Sequence, residues 1–111
     1  MSHKIHITPL AAQDIEQHVA YLKSESEEIA VRLFDAMRST FTRIARMPKI
    51  GRNFPLKNSR LAGLKKWQVK GFENYLIFYL EQSEEIQILR ILYGSRDVIS
   101  VLENYEYNAN P

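Results

Sequence analysis

The chain contains no cysteine. That excludes a disulfide framework and a thiolate zinc site, and it removes a thiol nucleophile from consideration. No apolar run approaches the roughly 18 residues needed to cross a bilayer, and the opening Met1-Ser2-His3-Lys4-Ile5-His6-Ile7 has no apolar core of signal-peptide length. A reducing cytoplasm is the expected location. Acidic residues are missing from the whole interval between Asp35 and Glu73. Within it fall Arg38, Arg43, Arg46, Lys49, Arg52, Lys57, Arg60, Lys65, Lys66 and Lys70, so a net charge of only +2 hides a middle third carrying +10 between acidic flanks. Such segregation predicts a basic surface suited to a polyanion or an acidic protein partner, or at its plainest a solvated basic face.

What is present describes one folded unit. At 111 residues, 45% apolar and 25% charged, the chain is long enough for a single core and too short for two. Residues 1–104 are expected to form the domain and 105–111 a tail. Lys4-Ile5-His6-Ile7-Thr8 alternates as a half-buried strand does. Thr8-Pro9 then supplies a cap and a first-turn proline for a helix whose Ala11, Ile15, Val19 and Leu22 share a face, ending near Lys23. A second helix follows the Ser24-Glu25-Ser26-Glu27-Glu28 cap region and runs to about Met47. Its apolar stripe is Ile29, Ala30, Leu33, Phe34, Met37, Phe41 and Ile44, with Arg38, Arg43 and Arg46 facing outward. So short a connection predicts an antiparallel helical hairpin.

Pro48 ends the second helix, and a basic loop is expected to about Gly63, with Lys57 and Arg60 as contact residues. Leu64 to Lys70, Tyr75 to Glu81 and Glu85 to Leu92 then read as an antiparallel meander. The unbroken apolar run Tyr75-Leu76-Ile77-Phe78-Tyr79-Leu80 marks a central strand covered on both faces. Ser95 or Asp97 can cap a short last helix through Val98, Ile99, Val101 and Leu102. The fold class is therefore α+β: an N-terminal strand and a helical hairpin packed on a small antiparallel sheet, in the order β-α-α-β-β-β with a short C-terminal helix.

Candidate chemistry gathers near the meander. Lys66, Gln68 and Lys70 share one strand face, and Trp67 and Val69 the other, where burial against the hairpin accounts for the indole as well as base stacking would. Attack of a ribose 2′-hydroxyl on a phosphate needs a general base, a general acid and cations around the phosphorane. Lys65, Lys66, Arg90 and Arg96 could supply the cations, and Tyr93 could donate a proton or stack on a base. A base is harder to find. His3 and His6 are expected on opposite faces of their strand, His18 reads as a hydrogen-bonded structural imidazole on the first helix, and Glu81 and Glu85 read as solvent-facing turn acids. No metal or cofactor is expected, since the histidines lack ligand spacing and no Gly-rich phosphate loop follows a strand.

Three stretches together resemble the RelE/ParE superfamily of bacterial toxins, in its ParE-like branch, over essentially the whole chain. Thr8-Pro9-x-Ala11-x-x-Asp14-Ile15 is similar to the first helix of that family. The end of the second helix, Met47-Pro48-x-x-Gly51, resembles the family's Leu-x-x-x-Pro-x-x-Gly signature. Ile88-Leu89-Arg90-Ile91-Leu92-Tyr93-Gly94-Ser95-Arg96-Asp97 resembles the closing strand, which in the family often ends in His-Gly-x-Arg-Asp; here Tyr93 stands at the histidine. The resemblance implies the toxin of a type II toxin-antitoxin pair, held inactive by a cognate antitoxin, whose C-terminal portion would cover part of the apolar sheet. It implies DNA gyrase as the target of a ParE-like toxin, and the ribosome and messenger RNA as the target of a RelE-like endoribonuclease using Lys65, Arg90, Tyr93 and Arg96. A non-toxic antitoxin-binding module is the third reading. Arg60, Lys65, Lys66, Lys70, Arg90, Tyr93 and Arg96 are the residues expected to meet the target or the antitoxin. In a purely structural reading Gly94 permits the turn, Asp97 caps the last helix and Arg96 pairs with Glu73 or Asp97.

Overall fold

The computed structural model describes residues 2–94 and 97–105. Strand β1 (Lys4–Ile7) leads into helix α1 (Pro9–Lys23) and helix α2 (Glu27–Arg46). A 3-10 turn at Pro48–Ile50, the two-residue strand β2 (Arg52–Asn53) and a second 3-10 turn at Ser59–Leu61 follow. Strands β3 (Lys65–Val69), β4 (Phe72–Glu81) and β5 (Glu85–Tyr93) and the short helix α3 (Val98–Glu103) complete the order. The five strands form one sheet in the order β1-β5-β4-β3-β2. The α+β class holds, with one correction: β1 runs parallel to β5, so the sheet is mixed and not wholly antiparallel. The two strands are joined through the helical hairpin and the three intervening strands, since a parallel neighbour cannot be reached by a tight turn.

Local chemistry fixes the helix ends. The Thr8 hydroxyl accepts from the Ala11 N–H at 3.2 Å and donates to Ile88 O at 2.9 Å, so one side chain caps α1 and ties it to β5. Ser26 caps α2 by accepting from the Ile29 N–H, and Glu27 and Glu28 sit in the positively polarised first turn. On α2 the buried face is Ala30, Leu33, Met37, Thr40, Phe41, Ile44 and Ala45. Ile29 and Phe34, expected on that stripe, are 40% and 41% exposed. They flank the face at its edges, and the Arg38 guanidinium lies 5.9 Å from the centre of the Phe34 ring.

Two apolar layers enclose the sheet. Tyr75, Ile77 and Tyr79 of β4 face the hairpin and pack with Leu33, Met37, Phe41 and Ile44, while Trp67 packs at the margin of this layer beside buried Val69. Phe78 of β4, with Leu76 and Leu80, faces the other way onto Leu61, Leu64, Leu102 and Tyr105. The apolar run in β4 is thus covered on both faces, as its composition requires. A bulge explains the equally continuous run in β5. Phe78 pairs with Arg90 and Tyr79 with Ile88, which leaves Leu89 as an extra residue; Ile86, Ile88 and Ile91 join the hairpin layer and Leu89 and Leu92 the second.

The segment from Pro48 to Gly63 is an ordered cover and not an open loop. Phe54, Leu56, Leu61 and Leu64 lie on the sheet, although Lys57 and Arg60 are exposed as expected. Asn58 and Glu103 lock this cover to α3: the Glu103 carboxylate accepts from the Lys57 and Asn58 N–H groups at 2.9 and 2.8 Å, and Asn58 Nδ2 donates to Tyr105 O at 3.0 Å. Tyr105, placed by sequence in the tail, is 8% exposed in the second layer; residues 106–111 of that tail lie outside the described residues. The β3–β4 turn is Lys70-Gly71 alone, with Gly71 at φ +84°, and Phe72 already belongs to β4, where a longer connection was expected.

Candidate functional site

Beyond Ile88, β5 loses its parallel neighbour, because β1 ends at Ile7 and the chain turns into α1. An unpaired strand edge exposes backbone donors and acceptors that must find other partners. Helix α1 supplies them. Asp14 Oδ2 accepts from the Ile91 N–H at 2.9 Å, and His18 Nε2 lies 2.7 Å from Ile91 O, so that nitrogen carries the proton and donates. These two residues are spaced i, i+4 on one helix face and stand in for a missing strand at a single residue of β5.

The same Asp14 holds Arg90. Arg90 Nε and Nη2 donate to Oδ2 and Oδ1 at 2.7 and 2.8 Å, a two-point contact to a carboxylate that is only 6% exposed. The bond to Asp14 is the main reason the guanidinium pKa is pushed up, against the opposing effect of its burial. Three hydrogen bonds therefore converge on the Asp14 carboxylate, and among the described residues no buried side-chain nitrogen or oxygen lacks a partner.

Past this point the edge opens into a groove of about 1220 Å³. Helix α1 forms one wall through His18, Tyr21 and Leu22, the start of β4 and the end of β5 form the floor, and Ile29 and Val101 close its rims. Aromatic rings line it edge to face. His18 meets Tyr75 at 5.0 Å, Tyr75 meets Tyr93 at 5.1 Å, and Phe72 meets Tyr75 at 6.4 Å. Burial pushes the Tyr75 hydroxyl pKa up, and the neighbouring Tyr93 and Tyr21 hydroxyls push it further. Tyr21 and Ile29 are 67% and 40% exposed, so a substantial apolar surface faces water here.

The residues singled out from the sequence fall in different places. Arg90 and Tyr93 line the groove; the Tyr93 hydroxyl accepts from Asn74 Nδ2 at 3.4 Å. Gly94 follows, its N–H donating to Asn74 O at 2.6 Å; a Cβ there would stand 3.3 Å from the same oxygen, so close approach and not a special φ is what calls for glycine. Lys65 lies on β3 with its ammonium 2.9 Å from Asn53 Oδ1, and the Lys66 ammonium sits 5.5 Å from the centre of the Phe54 ring. Arg60 is exposed on the second 3-10 turn, and Lys70 is exposed at the β3–β4 turn. Arg96 lies outside the described residues, as do both its expected pairings; Asp97 does cap α3, accepting from the Ser100 N–H at 3.3 Å. His3 lies 3.8 Å from Glu81, which also takes Lys49 at 3.2 Å. Among the described residues no three histidine, aspartate or glutamate side chains come together as metal ligands. Sequence reasoning missed Asp14 as the organiser of the site. The available signal was a carboxylate on the same helical face as Ala11, Ile15 and His18, a position that demands a cation or a set of donors.

A five-stranded mixed sheet with a helical hairpin on one face and a short C-terminal helix on the other, opening along the edge of its last strand, defines the architecture of the RelE/ParE-type toxins. The chain matches the family model described as the ParE toxin of the type II toxin-antitoxin system parDE over residues 5–98, and it belongs to that family. A solved structure titled as a chromosomal ParDE toxin-antitoxin system from P. aeruginosa has the same fold, with a TM-score of 0.65 and 19% identity over 83% of this chain and 96% of that one. No curated protein sequence matches the chain.

Proposed function

We propose that this chain acts by binding DNA gyrase in the cytoplasm and is neutralised by a cognate antitoxin whose C-terminal segment lies in the groove beside β5. One observation carries the choice of binding over RNA cleavage: the residues a nuclease would need are dispersed. Lys65 pairs with Tyr79 on β4, whereas Tyr93 pairs with Tyr75. Four residues along the strands and two strands across amount to roughly 16 Å between the two backbones, by ordinary strand spacing. Arg90 is already committed to Asp14 through two hydrogen bonds. A phosphorane needs its acid, base and cations within hydrogen-bond reach of one phosphate.

The groove suits a protein segment. Its exposed Tyr21 and Ile29 offer apolar anchors, and its aromatic floor is the kind of surface on which binding energy concentrates. Gyrase would be met by the basic margin of the molecule around β2 and β3, where Arg60, Lys65 and Lys66 lie. Induction of the chain alone in a bacterial host, followed by mapping of gyrase-linked DNA breaks and of messenger RNA 5′ ends, tests the reading. DNA breaks with intact transcripts are expected. Codon-phased RNA cuts without breaks would replace it with the ribosome-dependent nuclease, and normal growth at confirmed expression with the antitoxin-binding module.

A further inference from the structure

A second cleft, of about 630 Å³, lies on the same hairpin-covered face of the sheet as the β5 groove but toward its opposite edge, between the C-terminal half of α2 and β3. Its cations come from two elements. Arg43 and Arg46 stand on the last turns of α2, and Lys70 stands in the turn that follows β3. All three are exposed, and among the described residues no carboxylate lies within ion-pair distance of any of them. Glu73 is the single acid on the lining among the described residues, and one of its oxygens is occupied by the Gly71 N–H at 2.8 Å. Two arginines at a helix C-terminus are explained by the helix dipole. A lysine brought to them from another element is not, and neither is the indole of Trp67 between them, which packs on the core with one part and lines the cleft with another.

We infer that this cleft binds single-stranded nucleic acid, with a base against Trp67 and the flanking phosphates on Arg43, Arg46 and Lys70. An aromatic surface bordered by cations is the arrangement that holds unpaired bases without regard to sequence. A duplex keeps its bases stacked inside and could not place one on an indole recessed between a helix and a strand. The hydroxyl of Ser39 on the same wall is a further donor to sugar or phosphate oxygens, whereas that of Thr42 donates to Arg38 O at 3.2 Å.

Trp67 is the only tryptophan in the chain, so its emission reports on this cleft alone. The experiment titrates the full-length chain with a fluorescein-labelled oligo(dT) of about twelve nucleotides, reading anisotropy and tryptophan emission together. Quenching that parallels the anisotropy is expected. Three phosphate contacts predict a slope of about −2 in log K against log salt, or about twentyfold weaker binding between roughly 50 and 200 mM. The triple variant Arg43→Gln, Arg46→Gln, Lys70→Gln, with its fold checked by circular dichroism, should bind at least about tenfold more weakly and lose most of that slope. The pair Arg60→Gln, Lys66→Gln, placed elsewhere, should bind as the parent does. Binding without quenching, equal affinity for a duplex of the same length, or equal quenching by inorganic polyphosphate would each overturn the inference in the unaltered protein, whatever the variants do.

Discussion

Tyr79 is fully buried, yet its hydroxyl donates to Pro48 O at 2.7 Å and accepts from the Gly51 N–H at 2.9 Å. The turn after α2 is thereby fastened to the middle of β4. A Cβ on Gly51 would lie 2.8 Å from Tyr79 Cε1, so the glycine is required by the ring's proximity. Tyr79→Phe strands one donor and one acceptor and should cost about 1–3 kcal/mol in urea unfolding. It should also flatten the alkaline limb of stability. Burial raises the Tyr79 pKa, and Glu81 adds to this, while the Gly51 N–H opposes it. The folded chain then holds the phenolic proton more tightly than the unfolded chain does. Stability from this group is complete below about pH 10 and is lost as pH rises through the higher folded value. Unfolding midpoints measured above about pH 10 should fall less steeply for the variant, with Tyr75, whose pKa burial also raises, contributing to the residual fall. Tyr79 was legible in the sequence as part of an apolar strand, and Pro48-x-x-Gly51 as a motif. The hydrogen bonds that join them, across 28 residues of chain, were not, because nothing local encodes which buried hydroxyl meets which backbone group.

At the scale of elements, the short reach of β1 determines how the site is built. The alternation of Lys4-Ile5-His6-Ile7 revealed a strand, and the caps at Thr8 and Ser26 set the hairpin within a residue or two. Neither said that β1 would pair in parallel, or stop at Ile88 and leave Ile91 to Asp14 and His18. Strand pairing depends on contacts more than 70 residues apart, and period-two patterning is silent about which strands are neighbours. The extra Leu89 in β5 is likewise invisible, since an all-apolar run has no phase to interrupt. Asp14→Asn should cost about 3 kcal/mol, at the low end for breaking a buried pair because the Arg90 side chain keeps 20% exposure. In a double-mutant cycle with Arg90→Met, the double variant should lose less than the sum of the singles, and strict additivity would mean that the contact contributes nothing. Helix α3 sets a different constraint. Removing it to look for target contacts would also strip Leu102 and Tyr105 from the second layer and Glu103 from Asn58. Leu102→Ala alone should cost about 3 kcal/mol. Ile99→Asp, at a 57% exposed position, should leave stability within about 0.5 kcal/mol and thus tests α3 as a contact surface in a folded protein.

Across the whole molecule, the separation of charge along the chain becomes a separation of surfaces. The β5 edge carries an apolar and aromatic groove whose Arg90 is neutralised by Asp14, while β3 and β2 at the far side of the sheet carry Arg52, Lys65 and Lys66 with no carboxylate in ion-pair range among the described residues. Under the proposed function, a binding toxin held inactive by its antitoxin can use one surface for its target and another for its inhibitor, and the two should then respond to different substitutions. Tyr21→Asp combined with Ile29→Asp places charge on exposed anchors and should weaken antitoxin capture by about thirtyfold or more, measured by calorimetry, while toxicity in cells lacking antitoxin persists. Lys65→Glu combined with Lys66→Glu should slow association with gyrase, with a reduced dependence on salt, and leave antitoxin capture intact. Both pairs lie outside the fully buried layers, so folding is not the variable being read. If either pair disables both functions to a similar degree, target and antitoxin share one surface, and neutralisation would then be direct occlusion and not the capture of a separate face.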